Sequence, residues 1–228
     1  MKNGLIVVAG GKGTRFGSKN PKQFLTIDGK AIYIHTLCAF LKFDPDLDVV
    51  LVLPQHASQQ MIDEVHATIN QQLNVRVTTC LGGETRFESV KNGLAEMQAN
   101  TEIVGVHDAV RPLVSNKVIE TCFSVAYQQG NAVPIVPLTS SLRKVVNKDS
   151  EAVNRNNFAI VQTPQCFRHD ILKEAYLQPY STAFTDDASV VEAAGYKIKL
   201  VEGNSENIKI TTPPDFVLAE YYLKNFYD

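Results

Sequence analysis

Glycines and cations follow the first apolar run of the chain. Residues 5–8 lead into Ala9-Gly10-Gly11-Lys12-Gly13-Thr14-Arg15, and Lys19 and Lys22 come soon afterwards. A glycine turn lets backbone N–H groups come close to phosphate oxygens, and clustered cations match the charge of a triphosphate. These residues therefore predict a phosphate-binding loop. A tight, solvated turn without chemical consequence is the alternative.

Two common nucleotide motifs can be tested against this loop. The P-loop pattern G-x-x-x-x-G-K-[ST] does not occur, because no Gly-Lys-Ser or Gly-Lys-Thr follows at the required spacing. Gly11, Gly13 and Gly17 partly fit the dinucleotide fingerprint G-x-G-x-x-G. The next predicted strand, 49–53, ends without the acid that would hold an adenosine ribose. A nicotinamide-dependent oxidoreductase is therefore disfavoured.

Two further polar segments follow predicted strands. Gly82-Gly83-Glu84-Thr85-Arg86 begins a helix, with Arg86 and Ser89 as donors, and helix capping is its alternative reading. Asp108 follows the strand 103–106, where a carboxylate could hold a hydrated Mg²⁺ or a ribose. Asp108 could instead cap a turn or pair with Arg111. For His107 we favour a structural role, because a histidine beside a buried strand is usually a satisfied polar group.

Cations and hydroxyls recur in the last third of the chain. Each would be unremarkable alone, but together they could bind a second anion opposite the triphosphate: Arg155, Thr163, Thr185, Asp186 and Lys209.

Short β-branched runs alternate with amphipathic stretches along the chain. The strands and helices that they predict must position these residues. The runs predict strands at 5–8, 49–53, 75–79, 103–106 and 132–136, and the stretches predict helices at 31–41, 58–71, 86–97 and 116–128. This alternation predicts an α/β fold with a parallel sheet that is covered on both faces.

The alternation breaks at 139–158, where two short apolar runs around a polar turn predict a projecting hairpin. Beyond it we expect strands at 159–162 and 197–201, helices from about His169 and over 186–194, and a last helix from Pro213 with Thr212 as N-cap.

Composition limits the classes of function. The 228 residues suit one domain, 1–228, and the net charge of −2 offers no global field for nucleic acid or anionic membrane. The four cysteines show no paired spacing, and the first apolar run is too short for a membrane span. We therefore expect a cytoplasmic protein that binds phosphate locally.

Five motifs in this order resemble one known family. The segments 9–15, 21–25, 106–112, 162–165 and 207–211 are similar to those of 2-C-methyl-D-erythritol 4-phosphate cytidylyltransferases. The resemblance runs from about residue 5 to the last helix. It implies a Rossmann-like nucleotidyltransferase fold with a mostly parallel twisted sheet and a projecting β-arm. It also implies Mg²⁺, CTP and a sugar-alcohol phosphate as ligands, and a homodimer joined through the arm.

The resemblance also implies roles for individual residues. Arg15 and Lys22 match the stabilisers of the α-phosphate, and Arg155 and Lys209 match the residues that position the acceptor. CTP contacts are implied for Ala9, Gly10, Gly11, Lys12, Gly13, Lys22, Gly82, Ser89 and Asp108. Acceptor contacts are implied for Asp108, Arg111, Ser141, Arg155, Thr163, Thr185 and Lys209. Ser141 stands where the family commonly has threonine.

Ribitol-5-phosphate cytidylyltransferases share several of these motifs and are the alternative family. Asp108-Ala109-Val110 and the segment 185–189 are closer to the methylerythritol branch, which implies transfer of CMP from CTP to methylerythritol phosphate in non-mevalonate isoprenoid synthesis. A non-catalytic nucleotide-binding protein is the remote alternative.

Overall fold

The computed structural model describes residues 2–11, 22–147 and 149–226, and for Lys22 and Phe226 it describes the backbone alone. The strands are β1 (Asn3–Val8), β2 (Thr26–Ile27), β3 (Lys30–Ala31), β4 (Asp48–Leu53), β5 (Thr78–Leu81), β6 (Ile103–Asp108), β7 (Asn131–Pro137), β8 (Leu142–Val146), β9 (Asp149–Val153), β10 (Ala159–Val161), β11 (Gln165–Arg168) and β12 (Leu200–Glu202). The helices are α1 (Ile32–Phe43), α2 (Gln59–Gln72), α3 (Arg86–Ala95), α4 (Asn116–Gln129), α5 (His169–Ala175), α6 (Asp187–Ala193) and α7 (Pro213–Phe226).

In this part of the chain, eight strands form one mixed sheet. β1 runs parallel to β4 on one side and to β6 on the other, and β5 extends the parallel set beyond β4. β11 pairs antiparallel with β6 and with β7, and β12 pairs parallel with β7. The predicted α/β fold with a mostly parallel sheet is confirmed.

Alternate residues of the buried strands face two different cores. Leu5 and Val7 of β1 pack in the core formed with α1, α2 and α4, whereas Ile6 packs in the core formed with α3, α5 and α6. Strands that are buried on both faces must be apolar throughout, which is why β1 and β4 read as continuous apolar runs.

Local hydrogen bonds fix where the helices begin. Ser58 and Ser115 accept from the backbone N–H groups of Met61 and Val118, at 3.2 and 3.3 Å. Thr85 begins α3 as part of a capping box with Glu88. The predicted starts of α2, α3 and α4 agree with these caps to within one residue. Before α7 the capping contact comes from Asp215, which accepts the Thr212 N–H at 2.7 Å.

The projecting hairpin predicted at 139–158 is confirmed. β8 and β9 pair antiparallel from Leu142↔Val153 to Val146↔Asp149, and they form a two-stranded sheet apart from the main one. The side chains of Val145 and Val146 are 67% and 56% exposed. We call β8 and β9 the arm.

Two strand predictions were wrong in extent, and three short strands, β2, β3 and β11, were not predicted. Val75 and Val77 alternate as in a strand, but pairing with β4 begins only at Thr78. The side chain of Asn131 in β7 donates to the Lys197 carbonyl and accepts the Lys199 N–H, so the regular pairing of β12 with β7 begins only at Leu200. β11 was not predicted, because its four residues pair with strands far away in sequence. Among the described residues, no helix has both the length and the apolar character needed to span a bilayer.

Candidate active site at the carboxyl edge of the sheet

Three loops meet at the edge where the parallel strands end. The Ala9 N–H donates to the Val52 carbonyl at 2.8 Å, and the Gly82 N–H donates to the Leu53 carbonyl at 2.8 Å. On the other side of β1, the Ala109 N–H donates to the Val8 carbonyl at 3.1 Å. The loops after β1, β5 and β6 are therefore held side by side, as expected for a ligand crevice in a parallel sheet.

Ser89 holds the second of these loops in close packing. The Ser89 hydroxyl accepts the Gly83 N–H at 3.1 Å and donates to the Thr85 carbonyl at 2.9 Å. A Cβ at Gly82 would lie 2.7 Å from Ser89 Oγ and 3.0 Å from the Leu53 carbonyl, so any side chain there would force a shift. At Gly11 a Cβ would meet no atom of the described residues within 4 Å. Gly82 is thus required for packing, whereas no described residue crowds Gly11.

Gln23 holds the first glycine loop from behind. Its side chain is buried, and its amide donates to the Ala9 carbonyl and, at 3.3 Å, to the Gly11 carbonyl. Sequence reasoning did not single out this residue. The predicted ligands Lys12, Gly13 and Arg15 lie outside the described residues, as does Lys19, and the side chain of Lys22 is likewise not described.

Asp108 is the centre of a cluster of cations. Its Oδ2 lies 3.2 Å from Arg111 Nε and 2.9 Å from Lys209 Nζ, and its Oδ1 lies 3.8 Å from Arg86 Nε. Burial alone would raise the pKa of the Asp108 carboxyl, but the charges of Lys209, Arg86 and Arg111 hold it well below its usual range. Asp108 is therefore ionised at neutral pH.

The segment that carries Lys209 is fixed beside Asp108 by backbone contacts. Arg111 Nη1 donates to the Asn207 carbonyl at 2.7 Å, and the Ile210 N–H donates to the Val110 carbonyl at 3.0 Å. Asn207 Nδ2 donates to the Thr163 carbonyl at 2.8 Å. These bonds join three segments that are distant in sequence.

His107 and Thr163 support Asp108 from inside the sheet. His107 is fully buried, and its Nε2–H donates to the Arg111 carbonyl at 3.0 Å. Its Nδ1 therefore accepts from the Thr163 hydroxyl at 3.0 Å, and that hydroxyl accepts the Asp108 N–H at 3.2 Å. Burial lowers the pKa of His107 to about 4. Both ring nitrogens of His107 are thus hydrogen-bonded inside the protein, which supports the predicted structural role.

The other predicted acceptor residues lie away from this cluster. Arg155, at the base of the arm, is exposed and donates to the Thr139 carbonyl, and Ser141 is exposed where the arm begins. Thr185 is exposed just before α6, and its N–H donates to Ser189 Oγ at 3.0 Å. Within the described part of the chain, no contact joins these three residues to Asp108.

A buried ion pair that the sequence did not indicate connects two loops of the site. Arg86 binds both carboxylate oxygens of Asp187, at 2.8 and 2.7 Å, and Asp187 Oδ1 also accepts from the Tyr176 hydroxyl at 2.6 Å. Gln165 bridges the same region by donating to Asp186 Oδ2 and accepting the Ala188 N–H, both at 2.8 Å. The adjacent acids at 186 and 187 were the available signal, since one caps α6 and the other is left to find a cation.

The described residues could supply only a small part of the ligands of a magnesium ion. The described residues contain no group of three or more His, Cys, Asp or Glu side chains that could hold a metal. In the same residues, no donor lies within hydrogen-bond distance of Asp108 Oδ1, whereas Oδ2 is occupied by two cations. One free carboxylate oxygen suits Mg²⁺ that takes most of its ligands from substrate phosphates and water.

Comparisons with known proteins agree with the resemblance. The family model described as IspD: 2-C-methyl-D-erythritol 4-phosphate cytidylyltransferase matches residues 4–225. A protein of that name from Bacteroides thetaiotaomicron is 47% identical over 226 residues, covering 98% of this chain and all of the relative. The crystal structure of 2-C-methyl-D-erythritol 4-phosphate cytidylyltransferase from Thermus thermophilus superposes with a TM-score of 0.77 at 30% identity, covering 98% of this chain and 100% of that one.

Proposed function

The chain belongs to the 2-C-methyl-D-erythritol 4-phosphate cytidylyltransferase family, and we propose that it transfers CMP from CTP to 2-C-methyl-D-erythritol 4-phosphate. The products are 4-diphosphocytidyl-2-C-methyl-D-erythritol and pyrophosphate. The observation that carries this proposal is the junction of two unlike surfaces at one sheet edge. A glycine-lined backbone loop lies next to a cluster in which three cations surround Asp108.

The reaction needs no protein nucleophile. A phosphate oxygen of the acceptor attacks the α-phosphorus of CTP, the bond from that phosphorus to the bridging oxygen of the β-phosphate breaks, and pyrophosphate leaves. A phosphate monoester is already largely ionised near neutral pH, so no general base has to remove a proton. The enzyme's task is to hold two anions in line and to neutralise charge as it develops.

The glycine loops provide the nucleotide side of the site. We propose that the backbone from Ala9 to Gly11, together with Gly82, approaches CTP, and that Ser89 orders the second loop through its bond with Gly83. Lys12 and Gly13 complete the loop by family resemblance. Arg15 and Lys22 are proposed to stabilise the α-phosphate at the transition state.

The cation cluster provides the acceptor side. We propose that Lys209 and Arg111 bind the acceptor phosphate. The excess of positive charge in the described cluster suits an anionic ligand. Thr163 contributes by ordering Asp108, since its hydroxyl proton is already donated to His107. Arg155, Ser141 and Thr185 are proposed to contact the polyol part of the acceptor.

Mg²⁺ is proposed as the metal cofactor, held by the triphosphate with Asp108 Oδ1 as the protein's ligand, and it supplies charge neutralisation across the phosphates. Asp108 can serve because the neighbouring cations keep it ionised. For Asp108 to bind the metal in this way, its Oδ2 must remain paired with Arg111 and Lys209 while its Oδ1 faces the ligand.

We propose that the chain forms a homodimer through the arm in the cytoplasm. The arm carries exposed Val145 and Val146, and nearby Phe158 and Ile160 are 50% and 47% exposed. Apolar surface of this kind is typical of an interface. Arg155 and Ser141 lie at the base of the arm, so pairing of two arms would place them at the interface.

Sedimentation velocity tests this assembly with the wild type and with Val145→Asp. The wild type is expected to sediment as a dimer and the variant as a monomer. A wild-type monomer at micromolar concentration would contradict the proposal.

The activity is tested by pyrophosphate release with CTP and Mg²⁺, comparing 2-C-methyl-D-erythritol 4-phosphate with D-ribitol 5-phosphate at matched concentrations. Preference for the methylerythritol acceptor is expected. Preference for ribitol phosphate would assign the protein to polyol-polymer synthesis instead, and absence of turnover with both would disprove the proposed substrate class.

A further inference from the structure

Arg86 connects the two sides of the candidate site. It is the first residue of α3, three residues after Gly83, and its partner Asp187 is the first residue of α6, two residues after Thr185. The two lie 101 positions apart in sequence, and their side chains meet in a bidentate pair at 2.8 and 2.7 Å. The nucleotide-side loop and the acceptor-side loop are thereby joined by an ion pair, which lies beside an aromatic stack between the same two segments.

The burial of Asp187 makes this contact obligatory. Its side chain is fully buried, and a buried carboxylate without a cation is strongly unfavourable. The Tyr176 hydroxyl supplies one further hydrogen bond to Oδ1, but no charge. Arg86 is therefore the residue that balances the charge of a carboxylate at this point of α6.

Each end of the connection is rigid. On the nucleotide side, the capping box of Thr85 and Glu88 fixes the start of α3. On the acceptor side, Asp186 and Ser189 form a second capping box, and Gln165 holds both Asp186 and Ala188. A displacement of either loop is consequently passed to the other through the planar guanidinium and the adjacent aromatic stack.

Arg86 also lies near Asp108 but forms no hydrogen bond with its carboxylate. Its Nε lies 3.8 Å from Asp108 Oδ1, which is beyond hydrogen-bond distance but close enough to stabilise the negative charge. A closer cation would compete for the oxygen that the proposed mechanism leaves open.

We propose that Arg86 is a positioning residue for the transfer reaction: through Asp187 it sets the place of the Thr185 loop relative to the nucleotide loop, and it touches neither reacting group. The inference rests on the proposed function. Only arginine can fill the role, because lysine keeps the charge but lacks the two-pronged geometry that bonds both oxygens of Asp187.

The test compares the wild type with Arg86→Lys, Asp187→Asn, their double variant and the control Tyr176→Phe. The control removes a different hydrogen bond from Asp187 and leaves the guanidinium pair in place. Pyrophosphate release gives kcat and KM for each substrate, calorimetric titration gives the Kd of CTP without acceptor, and thermal melts give Tm.

Arg86→Lys is expected to lower kcat/KM for the acceptor by about 10- to 100-fold, because a displacement of about 1 Å is costly for in-line attack. The Kd of CTP should change by less than about threefold. The double variant should be no worse than the more impaired single variant, since both changes break the same link. Tyr176→Phe should lower Tm and leave the kinetic constants within about twofold of the wild type.

Three results would overturn the inference. A rise in the Kd of CTP that matches the kinetic loss would make Arg86 a nucleotide ligand. A lower Tm in Arg86→Lys with unchanged kinetic constants would make the pair purely structural. A wild type that turns over neither acceptor would remove the proposed function and this inference with it, before any variant is compared.

Discussion

The two sides of the candidate site are built in different ways. The glycine loops at 9–11 and 82–83 consist of backbone that is packed by near neighbours: Gly83 bonds to Ser89, and Ser89 bonds back to Thr85. The acceptor side consists of charged side chains from separate segments, namely Asp108, Arg111, Asp187 and Lys209, and Arg86 reaches this cluster from the nucleotide side. In the described residues, the nucleotide side is thus formed by local backbone contacts, and the cations of its loop, Lys12, Arg15 and Lys19, lie outside that part of the chain. The charge on the acceptor side is assembled by the tertiary fold.

This difference matches the chemistry each side must perform. A nucleotide base and ribose can be selected by shape and by backbone hydrogen bonds in a close-fitting loop. An acceptor phosphate that must approach a triphosphate needs surplus positive charge to offset the repulsion between two anions. The cluster around Asp108 carries more cations than it needs for its own acids.

The largest expected effect comes from removing a cation of the acceptor side. Lys209→Ala should lower kcat/KM for the acceptor by about 10² to 10³, because an exposed ammonium is lost where the phosphate binds. The Kd of CTP, measured by calorimetric titration, should change little. Since the Lys209 side chain is 42% exposed, Tm should stay close to that of the wild type. An equal loss in CTP affinity would contradict the separation of the site into a nucleotide side and an acceptor side.

The buried His107 that supports the acceptor side should make the stability of the protein sensitive to acid. The pKa of buried His107 is lowered to about 4, so between pH 6.5 and pH 4 the unfolded chain binds a proton that the folded chain refuses. Stability therefore falls as pH falls through this window, by on the order of 3 kcal/mol for this group.

Urea unfolding at pH 7, 5.5 and 4.5 checks this expectation with His107→Gln as the comparison. Glutamine can still donate to the Arg111 carbonyl but does not titrate. Burial also lowers the pKa of His35, and because His35 is present in both proteins its contribution cancels. Identical pH dependence in the two proteins would show that His107 does not contribute.

Alanine at two glycines should separate packing from ligand contact on the nucleotide side. Gly82→Ala should destabilise the fold by about 1 to 3 kcal/mol, because its Cβ would lie 2.7 Å from Ser89 Oγ. Gly11→Ala should fold normally, since no atom of the described residues would lie within 4 Å of its Cβ, and should raise KM for CTP about tenfold if the nucleotide packs against that backbone. Urea unfolding and steady-state kinetics measure both. Normal KM in Gly11→Ala would place CTP elsewhere.

The smallest expected effect is that of Ser89→Ala. Loss of the two hydrogen bonds of this hydroxyl should cost about 1 kcal/mol and loosen the Gly82–Gly83 loop. KM for CTP should rise severalfold with kcat unchanged, as measured by pyrophosphate release at varied CTP. A drop in kcat with constant KM would mean that this loop acts on the reacting phosphate rather than on nucleotide binding.

Elements with local signals could be predicted from the sequence. The starts of α2, α3 and α4 follow from Ser58, Thr85 and Ser115, whose capping bonds reach only three residues ahead. The arm follows from two apolar runs around a polar turn. β11 could not be predicted in this way, since it follows Pro164, is only four residues long and pairs with β6 and β7.

The residues of the candidate site also differ in whether local sequence signals could predict them. Asp108 and the glycine loops could be predicted because the end of a parallel strand is where ligands bind, and the possible pairing of Asp108 with Arg111 is confirmed at 3.2 Å. The two adjacent acids at 186 and 187 indicate that one of them needs a cation, but nothing in the sequence indicates that Arg86, 101 positions away, supplies it. The roles of Arg155, Ser141 and Thr185 remain predictions.

By itself, the sequence determined the alternation of strands and helices, the glycine turn and the supply of cations, since apolar period, turn chemistry and composition are local properties. Only the tertiary structure decided which cations surround Asp108, that His107 is neutral, and that Arg86 joins two loops. Those facts depend on contacts between residues as far as 101 positions apart, and such contacts exist only once the sheet has brought the loops to one edge.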